Sequence, residues 1–155
     1  MSLTIRPASQ ADQPAIRRLI SAANLNRMNL DWPNFVMAED DGAIAGLGQI
    51  KPHRDGSREL ASIAVVPERR GQGMGRAIIE ALLAREPSAV LHLTCRRELE
   101  GFYERFGFVR LRPADYPPYF ARLMPIVNFI VRFSGTQILV MRRESPPPMP
   151  GLRPS

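Results

Sequence analysis

A run of alternating glycines near the middle of the chain is the segment best suited to chemistry. A strand-like stretch ends at Pro67, and a helical pattern begins after the glycines, which are Gly71, Gly73 and Gly75. Glycines leave backbone N–H groups uncovered, and a helix N-terminus adds partial positive charge, so such a loop can bind an anion. Arg70 and Arg76 would add charge-assisted donors. The pattern predicts a pyrophosphate site; a tight strand-to-helix turn is the alternative.

Two other kinds of phosphate loop do not fit this segment. A P-loop requires Gly-Lys-Ser/Thr at its end, and Arg76-Ala77 follows the last glycine here. The dinucleotide-binding fingerprint requires Gly-x-Gly-x-x-Gly, whereas this spacing is Gly-x-Gly-x-Gly. The loop therefore indicates a different class of phosphate-bearing ligand.

Two residues elsewhere have side chains that transfer protons in many enzymes. Tyr103 belongs to a run at helical spacing, which by itself favours a core tyrosine with a satisfied hydroxyl; the run is Leu99, Phe102, Tyr103 and Phe106. Glu59 lies four residues before Ile63, hence on the same side of a strand. A glutamate at a strand end is commonly only solvated, so both interpretations of each residue stay open.

The single cysteine and the two histidines suggest no further chemistry. Cys95 is expected to be a small buried filler rather than a nucleophile. His53 and His92 lack the partner spacing of a metal site or a catalytic triad, so we predict no metal.

The elements that must position these residues follow the order strand, helix, three strands, helix, strand, helix and two strands. Turn signals at Asp41-Gly42 and Asp55-Gly56 separate the three consecutive strands. The strands are expected at residues 3–6, 35–39, 43–51, 59–66, 89–94, 108–111 and 136–142. This order predicts an α/β (α+β) fold, with a mixed central sheet and helices on both faces.

An apolar segment, residues 113–135, intervenes before the last strand. Its run from Tyr119 to Phe133 is interrupted only by residues that fall on one side of a helix, namely Arg122, Asn128 and Arg132. Pro125 is expected to kink or split that helix. So much apolar surface indicates a lid on an acceptor site, a homodimer contact, a surface for lipid or a hydrophobic substrate, or extra packing on the core.

Length and composition limit the class of protein. The chain has 155 residues and a formal net charge of +6, and we predict one domain over residues 1–144 and a disordered proline-rich tail over 145–155. The arginines are scattered or paired, so no nucleic-acid partner is expected. No stretch of about 20 apolar residues predicts a membrane span. One cysteine and no signal-peptide pattern favour the cytoplasm.

Two motifs resemble a known family. The segment from Arg70 to Gly75, Arg-Gly-Gln-Gly-Met-Gly, matches the Arg/Gln-x-x-Gly-x-Gly/Ala signature of the GNAT N-acetyltransferases. Val65-Val66-Pro67 resembles the approach to that signature. The segment from Phe102 to Phe108 resembles a second GNAT motif, an aromatic pair followed by Gly-Phe. The resemblance covers residues 3–143 and implies the GNAT acyl-CoA N-acyltransferase fold, with the apolar segment as an extra helical part.

The resemblance assigns a set of residues to acetyl-CoA. The backbone of one strand segment would pair with the pantetheine arm and polarise the thioester; its residues are Ile63, Ala64 and Val65. The loop would hold the pyrophosphate through Arg70, Gly71, Gln72, Gly73, Met74, Gly75 and Arg76. Arg96 stands where many family members have asparagine, and it would reach a phosphate instead or remain exposed.

The resemblance also assigns catalytic roles. Tyr103 matches the general acid that protonates the departing thiolate of CoA, and Glu59 matches a base found in some members. The segment from Glu59 to Val65 also resembles the acetyltransferase domain of N-acetylglutamate synthases, too briefly to indicate a substrate. The function implied is acetyl transfer to a primary amine of a small molecule or amino acid. The alternatives are acetylation of a protein N-terminus or lysine and a non-catalytic acyl-CoA-binding module.

Overall fold

The computed structural model describes residues 2–144, which form two compact units, one ending at Arg85 and the other beginning at Glu86. The tail predicted for residues 145–155 lies outside the described residues. Each unit contains an antiparallel set of strands and two helices, so the predicted α/β class is confirmed.

The first unit contains four strands in the spatial order β1-β2-β3-β4, each antiparallel to its neighbour. The strands are β1 (Leu3–Pro7), β2 (Phe35–Asp40), β3 (Ala43–Pro52) and β4 (Arg58–Val65). The helices are α1 (Gln13–Ala22) and α2 (Met74–Arg85). The bounds predicted for these four strands agree with the observed bounds to within one residue at each end.

Each face of this first sheet packs against one helix. Neighbouring residues of a strand point to opposite faces, so the strands present apolar side chains on both. On one face α1 completes a buried cluster of Ala8, Ile16, Ile20, Phe35, Met37, Leu47 and Ala64. On the other face α2 packs against Gly48 of β3. A Cβ at Gly48 would lie 2.6 Å from Cδ1 of Ile63 and 2.8 Å from Cγ2 of Ile78. Glycine is therefore required there for the helix to approach the sheet.

A buried ion pair fixes the segment between β1 and α1. Asp12 is 6% exposed and accepts hydrogen bonds from Nη1 of Arg6 and from the backbone N–H of Ser9, both at 2.7 Å. Nε of Arg6 also donates to Glu39 on β2 at 2.7 Å. The hydrogen bond from Arg6 is the main cause that lowers the pKa of Asp12 to about 2.

The second unit contains three strands in the order β5-β7-β6, again antiparallel. They are β5 (Leu91–Arg96), β6 (Val109–Arg110) and β7 (Ile138–Arg143). Two helices accompany them, the short α3 (Glu100–Glu104) and α4 (Pro118–Val131).

The predicted apolar segment forms α4, and of the two effects expected of Pro125, a kink or a split, the split does not occur. The helix continues through Pro125, which is exposed, as is Ala121 one turn earlier. Proline removes the hydrogen bond to the carbonyl of Ala121, and on the exposed side of a helix water can replace that bond. The opposite side packs on β7 through Phe120 and Met124, which lie in a buried cluster with Leu111 and Val140.

Over residues 2–144, the structure contains no helix with the length and hydropathy needed to span a membrane.

Candidate functional site

The glycine loop connects β4 to α2 with a backbone that only glycine adopts easily. Gly71 and Gly73 have φ values of +79° and +80°. A Cβ at either position would have no atom of the described chain within 4 Å, so the backbone is open on that side. α2 begins at Met74, directly after Gly73, and the first N–H groups of a helix lack carbonyl partners. This loop therefore has a geometry that can accept an anion.

Three side chains hold the segment before and within this loop. Nε of Arg69 donates to Oδ2 of Asp40, a buried residue at the end of β2. Nε of Arg70 donates to the carbonyl of Val65 at 3.2 Å, which leaves its terminal nitrogens available. Nε2 of Gln72 donates to the carbonyl of Glu68 at 3.4 Å. The loop is thus anchored by its flanking residues while its glycines stay uncovered.

Arg76 differs from Arg70 in having a carboxylate partner. Its Nε lies 3.0 Å from Oε1 of Glu80, one turn later on α2, and both side chains are exposed. An exposed pair of this kind is weak and can exchange Glu80 for a phosphate.

A β-bulge interrupts β4 at Ser62 and Ile63, where the predicted cofactor-binding segment begins. Leu47 is opposite Ala64 and Gln49 is opposite Ala61, so Ser62 and Ile63 together face one residue of β3. Ser62 has a φ of +60°, and Nε2 of the fully buried Gln49 donates to its Oγ at 2.8 Å. A bulge increases the local twist and changes the direction of the backbone N–H groups. No residue pattern predicted this bulge, because serine rarely adopts a positive φ.

Glu59 is buried, so it is not the solvated strand-end residue that is one of the two interpretations from the sequence. It is 8% exposed, is opposite Lys51 in the β3–β4 register, and its Oε1 lies 2.9 Å from Nε2 of His53. Burial lowers the pKa of Lys51, and the nearby Glu59 carboxylate offsets part of that shift. His53 thus has a carboxylate partner that its position in the sequence did not predict, because the turn at Asp55-Gly56 folds it back onto Glu59.

Tyr103 has a half-buried ring that packs against two phenylalanines. The ring packs edge-on against Phe102 and Phe108, with centroid distances of 5.1 and 6.2 Å. Burial, with a smaller contribution from Cys95, raises the pKa of Tyr103 to about 12. No hydrogen bond within residues 2–144 involves its hydroxyl. The structure therefore shows a packed tyrosine ring whose hydroxyl has no hydrogen-bond partner among residues 2–144.

The two residues at the end of β5 differ in exposure. Cys95 is buried beside Sδ of Met141 at 3.7 Å, and burial raises the pKa of its thiol to about 11, so it is a protonated filler as predicted. The Arg96 side chain is exposed. Among residues 2–144, no three or more His, Cys, Asp or Glu side chains form a group that could hold a metal.

The structure thus places the predicted residues in two groups. Glu59, the strand residues Ile63–Val65 and the loop 70–76 belong to the first unit, whereas Arg96 and Tyr103 belong to the second. Sequence reasoning missed the side chains that support the first group, which are Gln49, Lys51, His53, Ser62 and Arg69. Only His53 had a usable signal, because it and Glu59 flank a hairpin turn.

Comparison with known proteins identifies the class that this arrangement defines. The chain matches the acetyltransferase (GNAT) domain family over residues 31–110, just over half of its length. The chain therefore belongs to the GNAT acetyltransferase family, and the resemblance found in its motifs is confirmed. No curated protein matches its sequence.

Three solved structures are similar to the chain. N-acetylglutamate synthase from Neisseria gonorrhoeae, complexed with coenzyme A and N-acetyl-glutamate, has a TM-score of 0.70 and 21% identity over 95% of this chain and 36% of its own. Rv2747 from Mycobacterium tuberculosis, in complex with CoA, has a TM-score of 0.67 and 20% identity over 91% of this chain and 98% of its own. The ribosomal-protein-S18-alanine N-acetyltransferase from Escherichia coli has a TM-score of 0.64 and 21% identity over 98% and 99%.

These similarities establish the fold. At 20–21% identity they confirm the predicted GNAT acyl-CoA N-acyltransferase fold and nothing finer. The chain spans only about a third of the length of the N-acetylglutamate synthase that it matches.

Proposed function

We propose that this protein is an acetyl-CoA-dependent N-acetyltransferase, which moves an acetyl group to a primary amine of a small molecule or amino acid by direct transfer. The observation that carries the proposal is the open glycine loop at the start of α2, directly after a bulged strand, in a chain of the GNAT family. Similar structures complexed with coenzyme A support the choice of cosubstrate.

The first unit would bind the cosubstrate. The loop 70–76 would take the pyrophosphate on its bare backbone and on Arg70, with Arg76 exchanging its exposed partner for phosphate. The backbone of Ile63–Val65 would pair with the pantetheine arm, and a backbone N–H beside the bulge would stabilise the oxyanion. Arg96, exposed at the end of β5, would add a phosphate contact.

The reaction is a substitution at the thioester carbon. The amine nitrogen attacks that carbon to form a C–N bond, the carbon–sulfur bond breaks, and the thiolate of CoA leaves. The amine loses one proton to a base, and the thiolate gains one proton from an acid. The products are an acetylated amine and free CoA.

Tyr103 would be the acid. With a pKa raised to about 12, its hydroxyl is protonated over the whole neutral range, and no protein group among residues 2–144 competes for that proton. An ordinary thiol has a pKa near 8.5, so its thiolate is a weaker base than the Tyr103 phenolate and the proton transfer is uphill. The phenol must therefore be held close to the sulfur and donate its proton as the carbon–sulfur bond breaks, and solvent then returns a proton to the phenolate.

Glu59 would be the base, directly or through water. Its contact with His53 fixes the carboxylate and offers an imidazole to which the proton can pass next. This arrangement supports a proton path rather than a solvated surface charge.

Other features of the proposal follow from the sequence. Residues 1–144 would act as one catalytic domain without a metal or nucleic-acid partner, in the reducing cytoplasm that suits a free thiol such as Cys95. The similarity to a ribosomal-protein N-acetyltransferase keeps protein N-termini and lysines as an alternative acceptor class. A non-catalytic acyl-CoA-binding module is the second alternative.

A panel of acceptors tests the proposed function. Purified protein with acetyl-CoA is offered amino acids, polyamines, aminoglycosides and peptides with free N-termini, and products are identified by mass spectrometry. Acetylation of small amines is the expected result. Acetylation of peptides alone would favour the protein-directed alternative, and acetyl-CoA binding without any product would favour the module.

A further inference from the structure

The outward side of α4 exposes a continuous apolar stripe, defined here as Ile126, Phe129, Ile130 and Phe133. Ile126, Phe129 and Ile130 lie along one side of α4, and Phe133 lies in the turn two residues after its end, where it and Phe129 contact the same Arg132 guanidinium. Their exposed fractions are 60%, 65%, 74% and 89%. Single exposed apolar residues are ordinary, but a contiguous set containing two phenylalanines marks a surface that meets something other than water.

Packing within the second unit does not account for the stripe. The core-facing side of α4 is supplied by Phe120 and Met124, both almost fully buried, with Val127 partly buried against the same cluster. The stripe lies on the other side and adds nothing to that cluster. Extra packing on the core therefore explains the buried side of α4 but does not explain the exposed stripe.

The charge around the stripe is positive. The guanidinium carbon of Arg132 lies 3.6 Å from the ring centroid of Phe129 and 4.7 Å from that of Phe133. Arg122 is exposed one turn before Ile126, and α4 contains no aspartate or glutamate. No ion pair within residues 2–144 involves Arg122 or Arg132, and Asp115, three residues before the start of α4, pairs with Arg112 at 3.3 Å.

This charge pattern discriminates between two occupants of the stripe. In a self-complementary contact, the arginines of two copies would face each other across the stripe without a carboxylate between them, which opposes association. The stripe is also small, since four side chains offer less than the roughly 800 Å² that each partner of a standard interface buries. An anionic bilayer surface provides both an apolar layer for the phenylalanines and negative headgroups for the arginines.

We infer that the stripe docks on an anionic lipid surface. The apolar side chains enter the boundary between headgroups and acyl chains, and Arg122 and Arg132 lie at the level of the phosphates. The protein thereby associates peripherally with a membrane through α4. The inference does not depend on the acetyltransferase activity proposed above.

Vesicle sedimentation of the full chain tests this inference. One set of vesicles contains phosphatidylcholine alone, and the other contains equal parts of phosphatidylcholine and phosphatidylglycerol. The variants are Phe129→Ser/Phe133→Ser, which removes the aromatic part of the stripe, and Arg122→Gln/Arg132→Gln, which removes its charge. The matched control is Met28→Ser/Val109→Ser, two exposed apolar residues elsewhere, at 68% and 58% exposure.

We expect wild type and the control to sediment with anionic vesicles and not with phosphatidylcholine. Each stripe variant should lower that partitioning by about tenfold or more, and high salt should weaken it in wild type. The changed side chains are exposed, so thermal melting should stay close to wild type, and the arginine variant keeps the test decisive if the serine variant unfolds.

Two results would overturn the inference. One is the absence of sedimentation by wild type with anionic vesicles, or sedimentation that both stripe variants retain. The other is a dimer in light scattering that Phe129→Ser/Phe133→Ser converts to monomer while vesicles have no effect, which would assign the stripe to a second copy of the chain.

Discussion

At the scale of single residues, burial sets the protonation state of Tyr103. Its ring is enclosed by Phe102 and Phe108, and the phenolate is poorly solvated there, so the pKa rises from 10.0 to about 12. The hydroxyl accordingly stays protonated through neutral and mildly alkaline pH, where part of an amine acceptor is uncharged. A general acid in this reaction needs that property.

Replacement of Tyr103 by phenylalanine tests the acid role. Tyr103→Phe keeps the ring and its edge-on contacts, so we expect the stability and the affinity for acetyl-CoA to change little. Loss of the proton donor should lower kcat by about 10²-fold or more. In wild type the tyrosine should cause no alkaline loss of activity near pH 10, because its pKa is about 12. The measurement is kcat against pH for both proteins.

Tyr116→Phe is the matched control, since it removes a hydroxyl from a residue with no proposed role. Activity of Tyr103→Phe within about a factor of two of wild type would show that Tyr103 only packs.

Residue types alone could not reveal how Glu59 is held. A glutamate at the start of a strand and a histidine six residues earlier predict no contact by their spacing alone, and the one signal is the hairpin turn between them. Their approach to 2.9 Å depends on the turn at residues 53–57, where the N–H of Gly56 donates to His53 and that of His53 donates to Ser57. The contact between His53 and Glu59 is therefore formed by the folded hairpin and not by a pattern of neighbouring residues.

At the scale of elements, the glycine loop was predictable and the bulge beside it was not. Alternating glycines between a strand and a helix predict a loop with positive φ angles, which glycine adopts without strain. Gly71 and Gly73 do have positive φ. Ser62 adopts φ +60° because Gln49 and the β3 register hold it there. The continuity of α4 through Pro125 also depends on tertiary contacts. Phe120 and Met124 of this helix are buried, and such packing can outweigh the low helix propensity of proline.

Gly73→Val tests the loop as an element. A β-branched side chain on the open side of the loop would occupy the space proposed for phosphate. We expect acetyl-CoA affinity to fall by more than tenfold, equivalent to about 1.4 kcal/mol or more, in calorimetric titration.

Gly42→Val is its matched control, because Gly42 has a φ of +83° and, like Gly73, no described atom within 4 Å of a Cβ. Both variants carry the same kind of backbone strain, so a difference in affinity reports the ligand. Unchanged affinity in a folded Gly73→Val protein would exclude the pyrophosphate assignment.

At the scale of the whole molecule, the buried Arg6–Asp12 pair makes stability depend on pH. Asp12 has a pKa lowered from 3.8 to about 2, so the folded state binds its proton less readily than the unfolded state. Its contribution is therefore complete above the unfolded value and is lost as pH falls from about 4 towards 2. The shift corresponds to about 2 kcal/mol of unfolding free energy.

Asp12→Asn should consequently lower the free energy of unfolding by about 2 kcal/mol at neutral pH, with a smaller deficit near pH 2. Urea denaturation at both pH values measures it. Asp115→Asn is the control, because its pair with Arg112 is exposed and should contribute little. An equal deficit at both pH values would show that packing, not the charge of Asp12, is what the substitution removes.

The most direct test of the central claim measures initial rates of CoA release while acetyl-CoA and an accepted amine are both varied. The proposed function predicts that release requires the amine and that double-reciprocal lines intersect, because both substrates must be bound before direct transfer. Parallel lines would instead indicate a covalent acetyl-enzyme. Tight acetyl-CoA binding with no amine-dependent release from any member of the acceptor panel would contradict the claim that this protein is an N-acetyltransferase.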